Sequence, residues 1–174
     1  MTPEAGRFCS GLTAAIAEER IAAMSGVDVV VETSAPPEEV REALLDFSPR
    51  RPQRWPGISP ELYEVYEVGE WSAEIREGTR TRTGAFWTRE RYEWDDGDTI
   101  RWTAIESNFW RPGSYVTATL KPGEESGTRL EIHWHRSASS LLGRLGAFMV
   151  RRTRGKPVAA SFRRGLERLE AREA

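Results

Sequence analysis

The chain has 174 residues but a single cysteine, Cys9, and only two histidines. With one cysteine no internal disulfide can form, and a reducing compartment fits best. The histidines, His133 and His135, stand two apart, and on a strand both imidazoles would project from one face, as metal ligands can. That face is expected to point outward and to offer no third ligand of similar strength. We therefore predict two surface histidines, no metal site and no cofactor.

The sequence also lacks long apolar runs and the short motifs of several enzyme classes. The run from Ala147 to Val150 is among the longest, far below the ~20 residues needed to cross a bilayer. Glu18, Glu19 and Arg20 interrupt the apolar residues near the start, so no secretory leader is expected and a cytoplasmic protein is predicted. No serine lies in a nucleophile elbow, and no phosphate loop, CxxC pair or dinucleotide fingerprint occurs.

Large aromatic side chains, by contrast, are abundant: seven Trp, six Phe and four Tyr. A chain of this length can bury about 70% of its unfolded surface around one core. The aromatics suit a packed core or an aromatic-lined cavity equally well.

Charge is unevenly distributed, although the formal net charge is only −2. Residues 144–172 hold nine arginines and lysines against two glutamates, a local charge of +7 that leaves −9 elsewhere. A basic helix can meet anionic lipid or nucleic acid, but most such stretches are the solvated face of an amphipathic helix. We favour the solvated face, with contact to a membrane surface as the less favoured alternative.

Residues 1–25 are predicted to be an N-terminal appendage, and residues 26–174 a single domain. Leu12, Ile16 and Ala23 give the appendage a weak helical stripe. A short docking helix and an over-long gene model both stay open as explanations.

From residue 61 onward the apolar pattern has a period of two, which is typical of strands. With a β-branched run near residue 30, it predicts seven strands: Val27–Thr33, Leu62–Val68, Trp71–Ile75, Arg82–Trp94, Thr99–Glu106, Tyr115–Leu120 and Thr128–Arg136. Short gaps rich in glycine, proline and aspartate separate them, with one break at Gly78. Such short gaps predict antiparallel neighbours.

A short helix is predicted after the first strand. Residues 35–39, Ala-Pro-Pro-Glu-Glu, place proline at the first helical positions and acids in the first turn, where the helix dipole favours them. The helix should run to about Asp46. Prolines at 49, 52, 56 and 60 then exclude another long helix and leave Trp55 exposed or half-buried in a stiff loop.

Alternation along the strands assigns the side chains that point inward. The inward sets are mostly apolar: Phe86, Thr88, Glu90, Tyr92 and Trp94; Ile100, Trp102 and Ala104; Val116, Ala118 and Leu120; and Leu130, Ile132 and Trp134. The opposite phases hold arginine, threonine, glutamate and histidine. Because the aromatics do not interleave with arginines on an exposed platform, no nucleic-acid partner is predicted.

A sheet with one apolar face needs a cover, and the stretch from Ser140 to Ala171 is long enough to provide it. Apolar residues recur there at helical spacing: Leu141, Leu145, Phe148, Met149, Phe162, Leu166 and Leu169. They predict a long core helix, which should kink or break at Gly155 and Pro157. The small Gly155 and Ala159 opposite large sheet aromatics favour a cavity, although they could also simply interlock.

Taken in order, these elements resemble a known family. The helix at 35–40, the proline loop with Trp55-Pro56, the antiparallel run ending in Gly-Thr-Arg-Leu at 127–130 and the amphipathic terminal helix resemble the START/birch-pollen-allergen-like (SRPBCC) superfamily, in particular its polyketide cyclase/dehydrase and lipid-transport branch. The resemblance covers about residues 26 to 171. It implies an α+β helix-grip fold: a curved seven-stranded antiparallel sheet wrapped around the long, kinked C-terminal helix, with a cavity between them. It carries no invariant catalytic residue over to this chain.

Glu90 is the one weak catalytic candidate. Alternation puts its carboxylate on the inward face, where burial should raise its pKa toward the range useful for acid or base chemistry. The interpretation we favour is that an inward arginine or a water satisfies it, or that a bulge turns it outward. Arg152, near the inward stripe of the terminal helix, could meet the carboxylate, or its stem could cover apolar surface.

The leading hypothesis is a protein that binds or carries a small hydrophobic or aromatic molecule between sheet and terminal helix, with the loop of Trp55 near the entrance. The candidate ligand-binding residues are Trp55, Tyr66, Phe86, Glu90, Tyr92, Trp102, Trp134, Phe148, Arg152, Gly155 and Ala159. Two alternatives stay open: a polyketide cyclase or dehydratase in which Glu90 moves protons, and a module whose basic helix docks a protein or an anionic membrane. The oligomeric state stays open as well.

Overall fold

A seven-stranded antiparallel sheet forms the framework of the protein. The computed structural model describes residues 26–82, 84–124 and 127–171, so the predicted appendage of residues 1–25, with Cys9, lies outside the described residues. The strands are β1 (Val27–Thr33), β2 (Glu64–Val68), β3 (Ser72–Thr81), β4 (Gly84–Trp94), β5 (Thr99–Ser107), β6 (Tyr115–Pro122) and β7 (Thr128–His135). They lie in the order β1-β7-β6-β5-β4-β3-β2, with every neighbouring pair antiparallel.

The predicted α+β class and the seven antiparallel strands are confirmed. The predicted strand bounds agree with the structure to within two residues except at the end of β3, which runs through Gly78 to Thr81 instead of ending at Ile75. Gly78 does not form a turn but lies inside the strand, where neighbouring atoms leave no room for a side chain. A Cβ there would lie 2.7 Å from the carbonyl oxygen of Phe86 and 3.0 Å from Cβ of Leu62. A glycine inside a strand often marks such an approach.

Four helices accompany the sheet in the part of the chain that the structure describes. They are α1 (Pro37–Leu44), α2 (Arg51–Arg54), α3 (Leu141–Arg152) and α4 (Lys156–Glu170), with a 3-10 turn at Pro60–Leu62. Helix α1 has the predicted start, with proline and two glutamates in its first turn, and it buries Val40, Ala43 and Leu44. No helix in the described part of the chain is long and apolar enough to cross a membrane.

The predicted break in the terminal helix is confirmed, because α3 ends at Arg152 and α4 begins at Lys156. Gly155 stands between them in the left-handed region, with φ 75°. A Cβ at Gly155 would lie 2.4 Å from Cγ2 of Val29 and 2.8 Å from Cγ1 of Val27. Glycine is therefore needed there for both conformation and close packing against β1.

The two halves of the predicted core helix pack differently. Helix α4 buries Ala159 and Leu166, as the periodicity predicts. For α3 the prediction is wrong, because four residues of the predicted inward stripe are exposed: Leu141, Leu145, Phe148 and Met149. Its buried residues are Gly143 and Ala147. A Cβ at Gly143 would lie 2.4 Å from the carbonyl oxygen of Phe109, so only a face of small residues fits against the body of the protein.

The predicted inward phases of the central strands are confirmed. Ile100, Trp102 and Ala104 are buried on β5, and the matching residues of β6 and β7 are buried as well. A bulge interrupts the pairing of β4 with β5 between Arg89 and Glu90. It does not reverse β4, so Glu90 stays on the inner face with 4% of its surface exposed.

Candidate ligand-binding cavity

A cavity of about 450 Å³ lies between the inner face of the sheet and helix α4. Its apolar wall consists mainly of aromatic and branched side chains: Leu44, Trp55, Ile58, Phe86, Trp102, Phe109, Trp110, Val116, Trp134, Val150, Pro157, Val158 and Phe162. Its polar wall consists of Arg51, Glu77, Thr79, Thr88, Glu90, Tyr92, Arg136 and Ser161. This volume and this mixture are typical of small-molecule sites.

The aromatic walls are held in fixed orientations by one another. Tyr92 and Trp102 stack with their ring centroids 5.3 Å apart and their planes 9° apart. Trp110 and Trp134 meet edge to face at 5.5 Å. Phe162 of α4 lies 6.3 Å from Trp102. Since such contacts lock aromatic rotamers, the walls form flat, preorganised surfaces.

Arg51, Glu77 and Tyr92 form one buried polar group, called here the Arg51 cluster. The guanidinium donates from Nε to Glu77 Oε1 at 2.5 Å and from Nη2 to the Tyr92 hydroxyl at 2.9 Å. From Nη1 it donates to the carbonyl oxygens of Leu44 at 2.8 Å and Asp46 at 3.2 Å. The Tyr92 hydroxyl lies 3.4 Å from the same Glu77 oxygen. The cluster thus ties the end of α1 to β3 and β4.

Glu90 and Arg136 form a second buried group, the Glu90–Arg136 pair. Arg136 Nη2 donates to Glu90 Oε1, and both side chains are 6% exposed. Arg136 follows directly on β7, and its Nη1 lies 3.4 Å from the carbonyl oxygen of Ser114. The pairing is the outcome we favoured for Glu90, with an inward arginine as its partner. That arginine is Arg136, whereas Arg152 is exposed.

The two groups influence each other's protonation. Burial raises the pKa of Glu90 against the opposing charge of Arg136, and Glu77 adds to the increase. Burial and Glu77 raise the pKa of Tyr92 well above its ordinary value. Burial alone would lower the pKa of Arg51, but Glu77 raises it overall, so the guanidinium stays charged. The wall therefore holds two fixed cations and one carboxyl group whose affinity for a proton is increased.

Six of the predicted ligand-binding residues line this cavity: Trp55, Phe86, Glu90, Tyr92, Trp102 and Trp134. Trp55 is more buried than predicted, with 9% of its surface exposed. Its indole donates to the carbonyl oxygen of Ala43 at 3.2 Å, and its ring fills the space above Gly165.

Five of the predicted ligand-binding residues do not line this cavity. Tyr66 is exposed on the edge strand β2, with its ring 4.3 Å from the Arg89 guanidinium carbon. Phe148 and Arg152 point to solvent because α3 turns its small face inward. The space beside Gly155 is filled by valines of β1, and Ala159 is buried without lining the cavity.

Three charged residues of the wall were missed by sequence reasoning. Glu77 has the same strand phase as the buried Ala73 and Ile75, but ending β3 at Ile75 hid it. Arg136 has the same phase as Trp134, which was a usable signal. Arg51 carries no local signal, since its burial arises only when the proline-rich loop folds across the end of α1.

The two histidines lie on the outer face of the sheet, as predicted. His133 Nδ1 is 2.7 Å from Asp28 Oδ1. The rings of His133 and His135 lie 5.9 Å and 5.0 Å from that of Tyr115. Within the described ranges, no group of three His, Cys, Asp or Glu side chains could hold a metal ion.

Solved structures share this fold at low sequence identity. TTHA0849 from Thermus thermophilus superposes with a TM-score of 0.69 at 21% identity, covering 86% of this chain and 99% of that one. The Zhui aromatase/cyclase from Streptomyces sp. R1128 gives 0.67 at 17% identity, over 86% and 95% of the two chains. A START superfamily protein from Mycobacterium smegmatis gives 0.59 at 14%, over 83% and 98%. These identities are evidence for fold alone.

No curated protein matches the chain. Residues 24–173, however, match the family described as polyketide cyclase / dehydrase and lipid transport. The match spans most of the chain and agrees with the START-like neighbours and with the resemblance seen in the sequence. The protein therefore belongs to the polyketide cyclase / dehydrase and lipid transport family.

Proposed function

We propose that the protein binds a small aromatic molecule that carries oxygen groups in the cavity between the sheet and α4. The observation that carries the proposal is the combination of flat aromatic walls with charged groups clustered around β4 in a space of about 450 Å³. A ligand of two or three fused rings fits this size class. Burial of its apolar surface would contribute about 25 cal/mol per Å².

The polar wall favours oxygen atoms on that ligand. Within the described part of the chain, Arg51 uses four of its five N–H groups in the bonds above, which leaves one on Nη2 for a ligand oxygen. Arg136 is a second buried cation in the same wall. A ketone or phenol oxygen would satisfy these donors, whereas a plain hydrocarbon would leave buried polar groups unpaired.

Fluorescence titration of the full chain with hydroxylated anthraquinones and with alkanes of similar volume tests the proposal. Saturable binding of the oxygenated aromatics is expected, with at least about tenfold weaker binding of alkanes. Val158→Phe, which adds volume beside the cavity, should weaken binding about tenfold, whereas Trp71→Phe at an exposed site should leave it unchanged. Equal affinity for both ligand classes, or equal loss in both variants, would contradict the proposal.

A second candidate function is cyclisation or dehydration of a polyketide-like chain, with Glu90 moving protons. The specific observation in its favour is the carboxyl group of raised pKa in the cavity wall beside Arg136, which could stabilise a developing enolate oxygen. The ligand site is the same, so the two candidates differ only in whether chemistry follows binding.

Turnover of a short poly-β-ketone thioester analogue separates the two candidates. For an enzyme, Glu90→Gln should abolish turnover while affinity for the hydroxylated anthraquinone changes little. The control Glu93→Gln, on the outer face of the same strand, should leave both turnover and affinity unchanged. Because Gln leaves Arg136 buried without its counter-charge, Glu90→Gln/Arg136→Gln serves as a second variant with the pair removed. Turnover that survives in both Glu90 variants would remove this residue from the mechanism.

A further inference from the structure

Helix α3 presents its large apolar side chains to solvent and buries its small ones. Five large apolar residues are exposed by 48% to 81%, and they form what we call the α3 stripe: Leu141, Leu142, Leu145, Phe148 and Met149. At 100° per residue the stripe occupies the side of the helix opposite Gly143 and Ala147, the residues that contact the body. Continuous apolar surface of this kind marks an interaction site.

The stretch of chain that carries the stripe is strongly cationic. Residues 137–166 contain seven arginines and lysines and no carboxylate, so the rest of the chain carries −9. On α3 itself, Arg144 and Arg151 are two turns apart on one edge of the stripe, and Arg152 is exposed near its end. A depression next to this edge is lined by Arg111, Arg144 and Arg151, and no carboxylate is among its described lining residues.

We propose that α3 docks the protein on an anionic membrane surface, with the α3 stripe inserted among the lipid chains and the flanking arginines on the lipid phosphates. A helix of this pattern lies in the plane of the interface, and long basic side chains reach the headgroups from its edges. The acidic remainder of the chain is repelled by the same surface, which orients the protein with α3 toward it.

The proposal does not depend on the identity of the cavity ligand, but the geometry connects the two sites. Val150 lies on the inner side of α3 and lines the cavity. Membrane docking therefore places one wall of the cavity next to the lipid.

Co-sedimentation of the full chain with lipid vesicles tests the proposal. Vesicles of phosphatidylcholine with roughly 30% phosphatidylserine should bind the protein at about 0.05 M NaCl. Binding should fall at least about tenfold at about 0.5 M NaCl, because the salt screens the cationic edge. It should fall by a similar factor on pure phosphatidylcholine, because no anionic lipid is then present.

Matched variants separate the two contributions. Leu145→Asp/Phe148→Asp should lower binding at least about tenfold, and Arg144→Glu/Arg151→Glu should lower it by a similar factor and flatten the salt dependence. The controls Val68→Asp on the exposed edge strand and Arg91→Glu on the outer face of the sheet should bind as the parent protein does. All of these side chains are exposed, so melting temperatures should stay close to that of the parent.

Three results would overturn the proposal. The first is no binding to the anionic vesicles at low salt. The second is binding that survives the double substitution in the stripe. The third is a dimer in light scattering that Leu145→Asp/Phe148→Asp converts to a monomer while vesicles bind neither form, since the stripe would then be covered by a second copy of the chain.

Discussion

Helices α3 and α4 are consecutive and both amphipathic, yet they use their apolar residues in opposite ways. Helix α4 packs Leu166 into the core, with Phe162 and Leu169 half-buried beside it. Helix α3 packs Gly143 and Ala147 inward and exposes its leucines. Helical periodicity therefore identifies an apolar stripe, while the space available on the partner surface decides which face of the helix is buried.

The largest expected contrast comes from removing one leucine from each helix. Leu166→Ala should lower the free energy of unfolding by about 3 kcal/mol, because it opens a cavity at a buried site. Leu145→Ala removes the same atoms from an exposed site and should change it by less than about 0.5 kcal/mol. Urea denaturation of both variants measures the difference. Similar losses would mean that α3 is packed as the sequence pattern first indicated.

A pair of glycines gives an intermediate contrast. Gly165→Ala should cost about 2 kcal/mol, since its Cβ would lie 2.2 Å from the Trp55 ring. Gly146→Ala meets nothing within 4 Å and should stabilise the protein by up to about 1 kcal/mol through helix propensity. Thermal unfolding followed by circular dichroism tests both. Destabilisation by Gly146→Ala would show that α3 is more closely packed than the structure indicates.

The smallest expected effect depends on pH. Thr33 Oγ1 and the Ser34 N–H and Oγ donate to Glu170 at 2.7–2.9 Å, and these bonds hold the pKa of Glu170 below its ordinary 4.5. A lowered pKa stabilises the folded state above pH 4.5, and this contribution is lost as the pH falls through the lowered value.

The stability difference between the parent and Glu170→Gln should therefore be full near neutral pH and shrink in acid. Urea denaturation over a pH series measures it, with Glu167→Gln, exposed on the same helix, as the matched control. A difference that is constant with pH would remove the Glu170 carboxylate as the cause.

Much of the sheet was predictable because strand alternation is a local signal. The bounds of β1 were predicted to the residue, and the inward phases of Trp102, Trp134 and Glu90 were correct. The prediction ended β3 too early because of Gly78. In a sequence, a glycine required by close packing inside a strand cannot be distinguished from a glycine in a turn.

The polar wall of the cavity was only partly predictable, for a physical reason. Glu90 belongs to a long regular strand, whereas Arg51 is buried by bonds to carbonyl oxygens of Leu44 and Asp46 that exist only after the loop has folded. Which face of α3 points inward also depends on a tertiary contact, because the Phe109 backbone leaves room only for small residues. The sequence of the helix alone does not indicate this contact.

The break at residues 153–155 divides the helical wall of the cavity between α3 and α4, and we expect these two helices to differ in local stability. Val158 belongs to α4, which is anchored in the core, and Val150 belongs to α3, which rests on a narrow face of small residues. In native-state hydrogen exchange, we expect the amides of α3 to exchange through a local opening, and those of α4 only through unfolding of the sheet. Such a local opening of α3 would let the cavity exchange a ligand with the solvent while the sheet and α4 stay folded.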